Sequence, residues 1–192
     1  MYAVVLKVGK GLNNRMINFS SFSSQSFVGK LIRFPLRFIP HNSVVPILQG
    51  RLRGKKWIAG SGNHGCWLGS YEYEKQKLFI NAIKKGAVVY DIGAHAGFYT
   101  LLAAETVGPA GKVIAFEPLP QNIGYLKEHL RLNQVSNVIV FEAAVGEQCG
   151  IDTFEEMDSN SEGRLSPEGK LKVKVVVLDE LVLSGEIPPP DF

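Results

Sequence analysis

Apolar residues in this chain come in short β-branched runs separated by stretches of helical spacing. Val88, Val89, Tyr90 and Ile92 form a run too short for a helix, and they predict a strand buried on both faces. Lys112 to Phe116 predicts a second strand and Asn137 to Phe141 a third. Between the first two, Leu101, Leu102, Ala104 and Val107 repeat at helical spacing. Between the second and third, Ile123, Leu126 and Leu130 set the buried face of a helix over 120–132, with Pro120 near its first position and Asn133 as a left-handed cap. A further helix over about 72–85 precedes the first strand. It carries Leu78, Phe79, Ala82 and Ile83 on one face, Glu72 and Glu74 in its first turn, and Gly86 at its end. Strands alternating with helices predict an α/β fold, a parallel sheet of order 3-2-1 with helices on both faces.

The pattern changes on either side of this core. Gly150 to Phe154 and Leu171 to Val177 alternate with period two around a polar loop, which predicts an antiparallel hairpin. Asp179 to Leu183 predicts one or two helical turns. Upstream, the apolar runs and glycines from Val44 to Ser61 predict a small ribbon with Arg51, Arg53, Lys55 and Lys56 along it, a basic patch that suits either an acidic substrate or, the favoured reading, an edge strand kept unpaired by its charges. Gly60 to Ser70 is a glycine-rich loop that either packs over the sheet or walls a substrate. The expected division is an N-terminal extension over 1–43, a ribbon and loop over 44–70, and a core over 71–192. Within the extension, residues 18–27 are serine-rich and predict a flexible lead. Residues 27–40 are basic and amphipathic, which suits either weak contact with an anionic membrane surface or a helix and turn packed on the domain. Pro35 interrupts the stripe and favours packing.

Candidate chemistry lies at the end of the first strand, where the pattern is Asp91-x-Gly93-x-x-x-Gly97. Both glycines permit positive φ or close backbone approach, so a ligand can reach the bare main chain. A dinucleotide fold places a pyrophosphate on G-x-G-x-x-G with no carboxylate beside it. Asp91 would repel a pyrophosphate and attract an ammonium or sulfonium charge. S-adenosylmethionine carries both. Glu117 follows Gly97 by 20 residues, the separation at which a βαβ unit brings a second strand end beside the first, and a carboxylate there suits the two hydroxyls of a ribose. Asn122 is placed to reach the nucleoside or to cap its helix.

These residues resemble the FkbM-type family of class I, Rossmann-like, S-adenosylmethionine-dependent methyltransferases, from about Trp67 onward. The carriers are Trp67 to Glu72, Tyr90 to Thr100, Val113 to Asn122, Leu132-Asn133, Glu142 to Gly146 and Val175 to Leu181. His95 stands where family members usually have Asn. The resemblance implies S-adenosylmethionine contacts at Asp91, Gly93, Ala94, His95, Gly97, Tyr99, Thr100, Glu117, Pro118, Asn122, Glu142, Ala143 and Ala144. It sets Glu142, Ala143 and Ala144 beside the adenine, where small residues make room for a flat ring and Glu142 is placed to accept from an amino group. It implies acceptor contacts at Tyr71 and Glu72 and O-methylation of a hydroxyl on a small molecule or sugar. No metal is expected, because no metal-ligand spacing of Cys or His is present. The family pattern continues into a fourth strand after the point where this sequence ends at Phe192. The expectation is therefore an N-terminal portion whose first strand either leaves its outer edge open, prone to self-association and weak in turnover, or has it covered by the N-terminal segment or a partner. The alternatives are a cofactor-binding but inactive module, and, disfavoured by Asp91, an NAD-dependent oxidoreductase.

Composition changes this picture little. A length of 192 residues with 45% hydrophobic and 20% charged residues suits one globular domain. A net charge of +3 gives no support for a nucleic-acid partner. Two cysteines make no disulfide framework, so a reducing cytoplasm is the expected location. The first ten residues lack the basic lead and apolar length of a signal peptide.

Overall fold

The computed structural model describes residues 34–156 and 163–192. The serine-rich lead, most of the basic amphipathic stretch and the tip of the polar loop lie outside the described residues. A 3-10 turn over Phe34–Phe38 leads into β1 (Val44–Pro46) and β2 (Lys56–Ile58), which pair antiparallel as a ribbon. Two helices follow, α1 (His64–Leu68) and α2 (Tyr73–Ala82). The core then runs β3 (Val88–Ile92), α3 (Phe98–Val107), β4 (Lys112–Phe116), α4 (Pro120–Leu132) and β5 (Val138–Phe141). These strands form a parallel sheet with β4 in the middle, the order expected from the sequence.

A second sheet holds β6 (Ala144–Val145), β7 (Gly150–Glu156), β8 (Gly163–Leu165) and β9 (Leu171–Val176) in the order β6-β9-β7-β8. The expected hairpin is the antiparallel pairing of β7 with β9. Two additions to it escape the alternation pattern. The three-residue β8 folds back on β7, and the two-residue β6 pairs parallel with β9. The chain then forms α5 (Leu178–Leu183).

Alternation along β4 explains why the sheet is covered on both faces. Val113 and Ala115 pack with α3, α4 and the ribbon, in clusters containing Trp57, Trp67, Phe98, Leu102 and Leu126. Ile114 and Phe116 point the other way, against Ala143, Val176, Ile187 and the apolar side of α5. Leu126 is fully buried, and truncating such a residue to Ala costs about 2–5 kcal/mol.

Four expectations need correction. Ile92 is 55% exposed at the end of β3, where it lines a cavity with Gly93 and Glu117. Leu78 is exposed and Gln76 is buried in its place, its amide donating to the Tyr71 carbonyl. Asn133 is not left-handed; its amide clamps the backbone of Lys56, and Gln134 takes the positive φ instead. The outer edge of β3 is not left bare. Phe192 donates its N–H to the Val88 carbonyl and accepts from the Tyr90 N–H, the pattern of a parallel pairing, while Tyr90 Oη donates to the Pro188 carbonyl.

Ribbon charges are engaged within the fold: Lys55 pairs with Glu105 at 2.9 Å, and Arg51 donates to the Glu105 carbonyl. Among the described residues no helix is long and apolar enough to cross a membrane.

Candidate functional site

The loop between β3 and α3 alternates three positive-φ residues, Gly93, His95 and Gly97. Gly93 and Ala94 both donate their N–H to the Phe116 carbonyl, which ties the loop to the end of β4. The two glycines serve different purposes. A Cβ on Gly97 would collide with Leu126 Cδ1, so this glycine lets α3 lie against α4. A Cβ on Gly93 would meet nothing within 4 Å, so this glycine faces open space. His95 reaches its left-handed conformation with a side chain that tolerates it better than most, as Asn does.

Two carboxylates flank the loop. Glu117 is 4% exposed, and its Oε2 accepts from the His95 N–H at 2.8 Å while Oε1 accepts from the Leu119 N–H at 3.0 Å and from Asn122 Nδ2 at 3.1 Å. Asn122 therefore orients the acid as well as lining the cleft. Asp91 accepts from Thr100 Oγ1 at 2.5 Å. Burial pushes the Asp91 carboxyl up to about 6, against the opposing Thr100 bond and with a further push from the Glu117 charge.

Two cavities meet at Gly93, His95 and Asn122. The larger, about 350 Å³, is walled by Asp91, Ala94, Tyr99 and Tyr71 of the expected residues, and also by Trp57, Ser61, Asn63, Cys66, Gln121 and Tyr125. The smaller, about 240 Å³, is walled by Glu117, Pro118, Ala143 and Ala144, with Phe154, Arg164 and Leu165 from the second sheet. Together they make one cleft along the carboxyl ends of β3, β4 and β5, where open α/β sheets take ligands.

Some expected residues lie behind or beside this cleft. Thr100 is fully buried and acts on Asp91, and Gly97 packs against α4. Glu142 pairs with Lys127 at 2.5 Å and lines neither cavity. Glu72 takes a strained left-handed conformation at the start of α2 and accepts from Tyr99 Oη at 2.9 Å and from Lys75 Nζ at 2.6 Å. Burial raises the Glu72 pKa, but these two bonds outweigh it and hold the carboxyl below its ordinary value. Burial, with the Glu72 bond, raises the Tyr99 phenol. The Cys66 thiol is pushed up to about 12 by burial and stays neutral.

Comparison with known proteins points to methyltransferases. Residues 67–156 match the model of the TRM5/TYW2 methyltransferase domain. The fold is that of a class I methyltransferase core. The chain is 27% identical over 122 residues to the hexuronic acid methyltransferase AglP of Haloferax volcanii, covering 62% of this chain and 49% of that protein. It is 35% identical over 91 residues to the arsenite methyltransferase of Halobacterium salinarum, covering 45% of this chain and 22% of that one. It is 34% identical over 67 residues to the ribosomal RNA large subunit methyltransferase E of Lawsonia intracellularis, covering 31% of this chain and 34% of that one. The chain thus spans half or less of the length of these relatives. Since one of them is a ribosomal RNA methyltransferase, the comparisons give no support to excluding a nucleic-acid acceptor.

Class I methyltransferases use S-adenosylmethionine, and the residues present fit it. Space is open over Gly93, an acid stands at each of the first two strand ends, and Ala143 and Ala144 keep the third end low.

His129, Gln121 and Tyr125 are not among the expected site residues, whereas Ser61 and Asn63 belong to the glycine-rich loop over 60–70, for which a substrate wall is one of the two expected roles. For His129 a signal existed, since it lies three residues after Leu126 and one before Leu130, within the buried stripe of α4.

Proposed function

We propose that this chain binds S-adenosylmethionine in the cleft over Gly93 and serves methyl transfer to a hydroxyl oxygen of a small molecule or sugar, as the FkbM-like motifs suggest. The observation that carries the reading is the placement of Asp91 and Glu117 on either side of an open glycine loop, each carboxylate facing one of two joined cavities. The smaller cavity suits the adenosine: Glu117 offers its carboxylate to ribose hydroxyls, and the alanines at 143 and 144 make room for the base. The larger suits the amino-acid end, where ionised Asp91 attracts an ammonium. When bound, the cofactor supplies an electrophilic methyl group on a sulfonium centre.

The chain's own part is to bind, orient and exclude water. Thr100 fixes the Asp91 carboxylate, and Asn122 with the His95 and Leu119 N–H groups fixes Glu117, so neither acid has to reorganise when a ligand arrives. Tyr71, Phe98 and Tyr99 pack edge to face and form an apolar wall beside Asp91. Tyr99 in turn donates to Glu72, which holds that wall to the start of α2.

The test is transfer of a labelled methyl group from S-adenosylmethionine to a panel of neutral sugars, phenols, uronic acids and RNA oligonucleotides. Label on a hydroxyl acceptor, lost in Asp91→Ala, is the expected result. Label confined to RNA, or to a carboxylate, overturns the acceptor class.

A further inference from the structure

The cleft has a second side that the cofactor loop alone does not supply. Trp57, Ser61 and Asn63 come from the ribbon and the segment after it, outside the matched family domain, yet they wall the larger cavity together with Asp91 and Ala94. One fully buried side chain touches both sides. His129 Nδ1 lies 2.7 Å from the Ala96 carbonyl, in the loop between Gly93 and Gly97, and Nε2 accepts from the Ile58 N–H of β2 at 3.0 Å, with Ser61 Oγ 3.4 Å away. Since a carbonyl only accepts, the proton sits on Nδ1 and Nε2 carries the lone pair. The ring is stacked on Trp57 with centroids 3.8 Å apart. One turn further along α4, Asn133 accepts from the Lys56 N–H at 2.7 Å and donates to the Lys56 carbonyl at 2.8 Å, as a neighbouring strand would. The ribbon therefore hangs from α4 by side chains, and the first of them also holds the cofactor loop.

We propose that His129 is a positioning residue that sets the width of the methyl-transfer cleft, by joining the Ala96 carbonyl of the cofactor loop to the Ile58 N–H of the ribbon, next to the cavity-lining Trp57. This rests on the reading of the loop as the cofactor site. The distance between two segments far apart in sequence is fixed by the span of one imidazole ring, whose two nitrogens accept and donate on opposite sides. Phenylalanine can fill the same space and keep the stack on Trp57, but it frees both the carbonyl and the N–H. Glutamine can reach one partner at good geometry but does not span both.

Hydrogen exchange at the amides of residues 94–97, measured beside S-adenosylhomocysteine binding in the wild type, His129→Phe and His129→Gln, tests this. The expected order is wild type, Gln, Phe. In His129→Phe, exchange in the loop rises about tenfold or more and affinity for S-adenosylhomocysteine falls about tenfold or more, while the amides of β4 and α3 keep their protection. A purely structural role would instead raise exchange everywhere. Unchanged loop exchange and unchanged affinity in His129→Phe would overturn the proposal. If that variant does not fold, wild-type loop exchange and affinity in His129→Gln would overturn it equally. A wild-type chain that binds no S-adenosylhomocysteine, yet shows the loop-specific change in the variants, would uphold the positioning role and remove the cofactor reading.

Discussion

The Oε2 atom of Glu117 accepts the backbone N–H of His95 at 2.8 Å, so the acid at the end of β4 is built into the loop at the end of β3. This bond links the two halves of the site. It also means that removing the acid has two consequences, one on the ligand and one on the loop.

Glu117→Ala is expected to weaken S-adenosylhomocysteine binding by about tenfold or more, from lost charge-assisted hydrogen bonds. It should also lower stability by about 1–3 kcal/mol, because the His95 and Leu119 N–H groups lose their acceptor. Calorimetry and urea denaturation read the two effects separately. Unchanged affinity would remove the ribose assignment.

The glycines of the loop should separate binding from folding. Gly93→Val places a side chain in open space at a positive φ, so the protein should fold with a loss of about 1–2 kcal/mol and bind no S-adenosylhomocysteine. Gly97→Ala pushes into buried Leu126 and should cost more stability than Gly93→Ala does. Circular dichroism melts of the variants, with and without ligand, check both. Retained binding in Gly93→Val would make the loop a structural turn only.

Asp91 and His129 should give the stability opposite slopes with pH. Burial holds the Asp91 pKa near 6, above its ordinary 3.8, so the free fold gains stability as pH falls through that window. Burial holds His129 near 4, below its ordinary 6.5, against smaller upward pushes from the Ala96 bond and the Glu128 charge; its other close neighbours, Trp57, Ser61 and Tyr125, are uncharged. The unfolded chain then binds the proton first, and stability falls as pH drops from 6.5 toward 4. Between about pH 6 and 4 the two effects oppose each other. Relative to wild type, Asp91→Asn should lose about 1.4 kcal/mol per pH unit on acidification, and His129→Gln should gain a similar amount. Urea midpoints at pH 6, 5 and 4 measure this, and parallel profiles for the two variants would contradict it.

The same titration bears on ligand binding. Protonated Asp91 no longer attracts a cation, so affinity for S-adenosylmethionine should fall by up to about tenfold per pH unit below about 6. In Asp91→Asn the affinity should be low and insensitive to pH. A wild-type affinity constant from pH 7 to 5 would show that the acid does not face the cofactor's charge.

What the sequence revealed and what it concealed follow from distance along the chain. Asp91, Gly93, Gly97 and Glu117 are brought together by one βαβ unit, so their spacing alone is informative. His129 contacts Ala96 from 33 residues away and Ile58 from 71, and Asn133 contacts Lys56 from 77, so no local pattern announces these partners, although the stripe of α4 places His129 on the buried side. Asn133 shows how such contacts override propensity, because its amide serves the backbone of β2 and the left-handed conformation passes to Gln134. Leu78 and Gln76 show the limit of periodicity. Both fit the turn of α2, but the buried side is decided by the Tyr71 carbonyl, which gives Gln76 a partner. Glu142 had a plausible role beside a base, and the nearby Lys127 draws it away.

The central claim, that the cleft over Gly93 takes S-adenosylmethionine, is tested most directly by isothermal calorimetry of the wild-type chain with S-adenosylhomocysteine and, separately, with NAD. The account predicts saturable one-site binding of S-adenosylhomocysteine, lost in Gly93→Val, and no heat with NAD. Binding of NAD, or a folded wild-type chain that ignores S-adenosylhomocysteine, would contradict it.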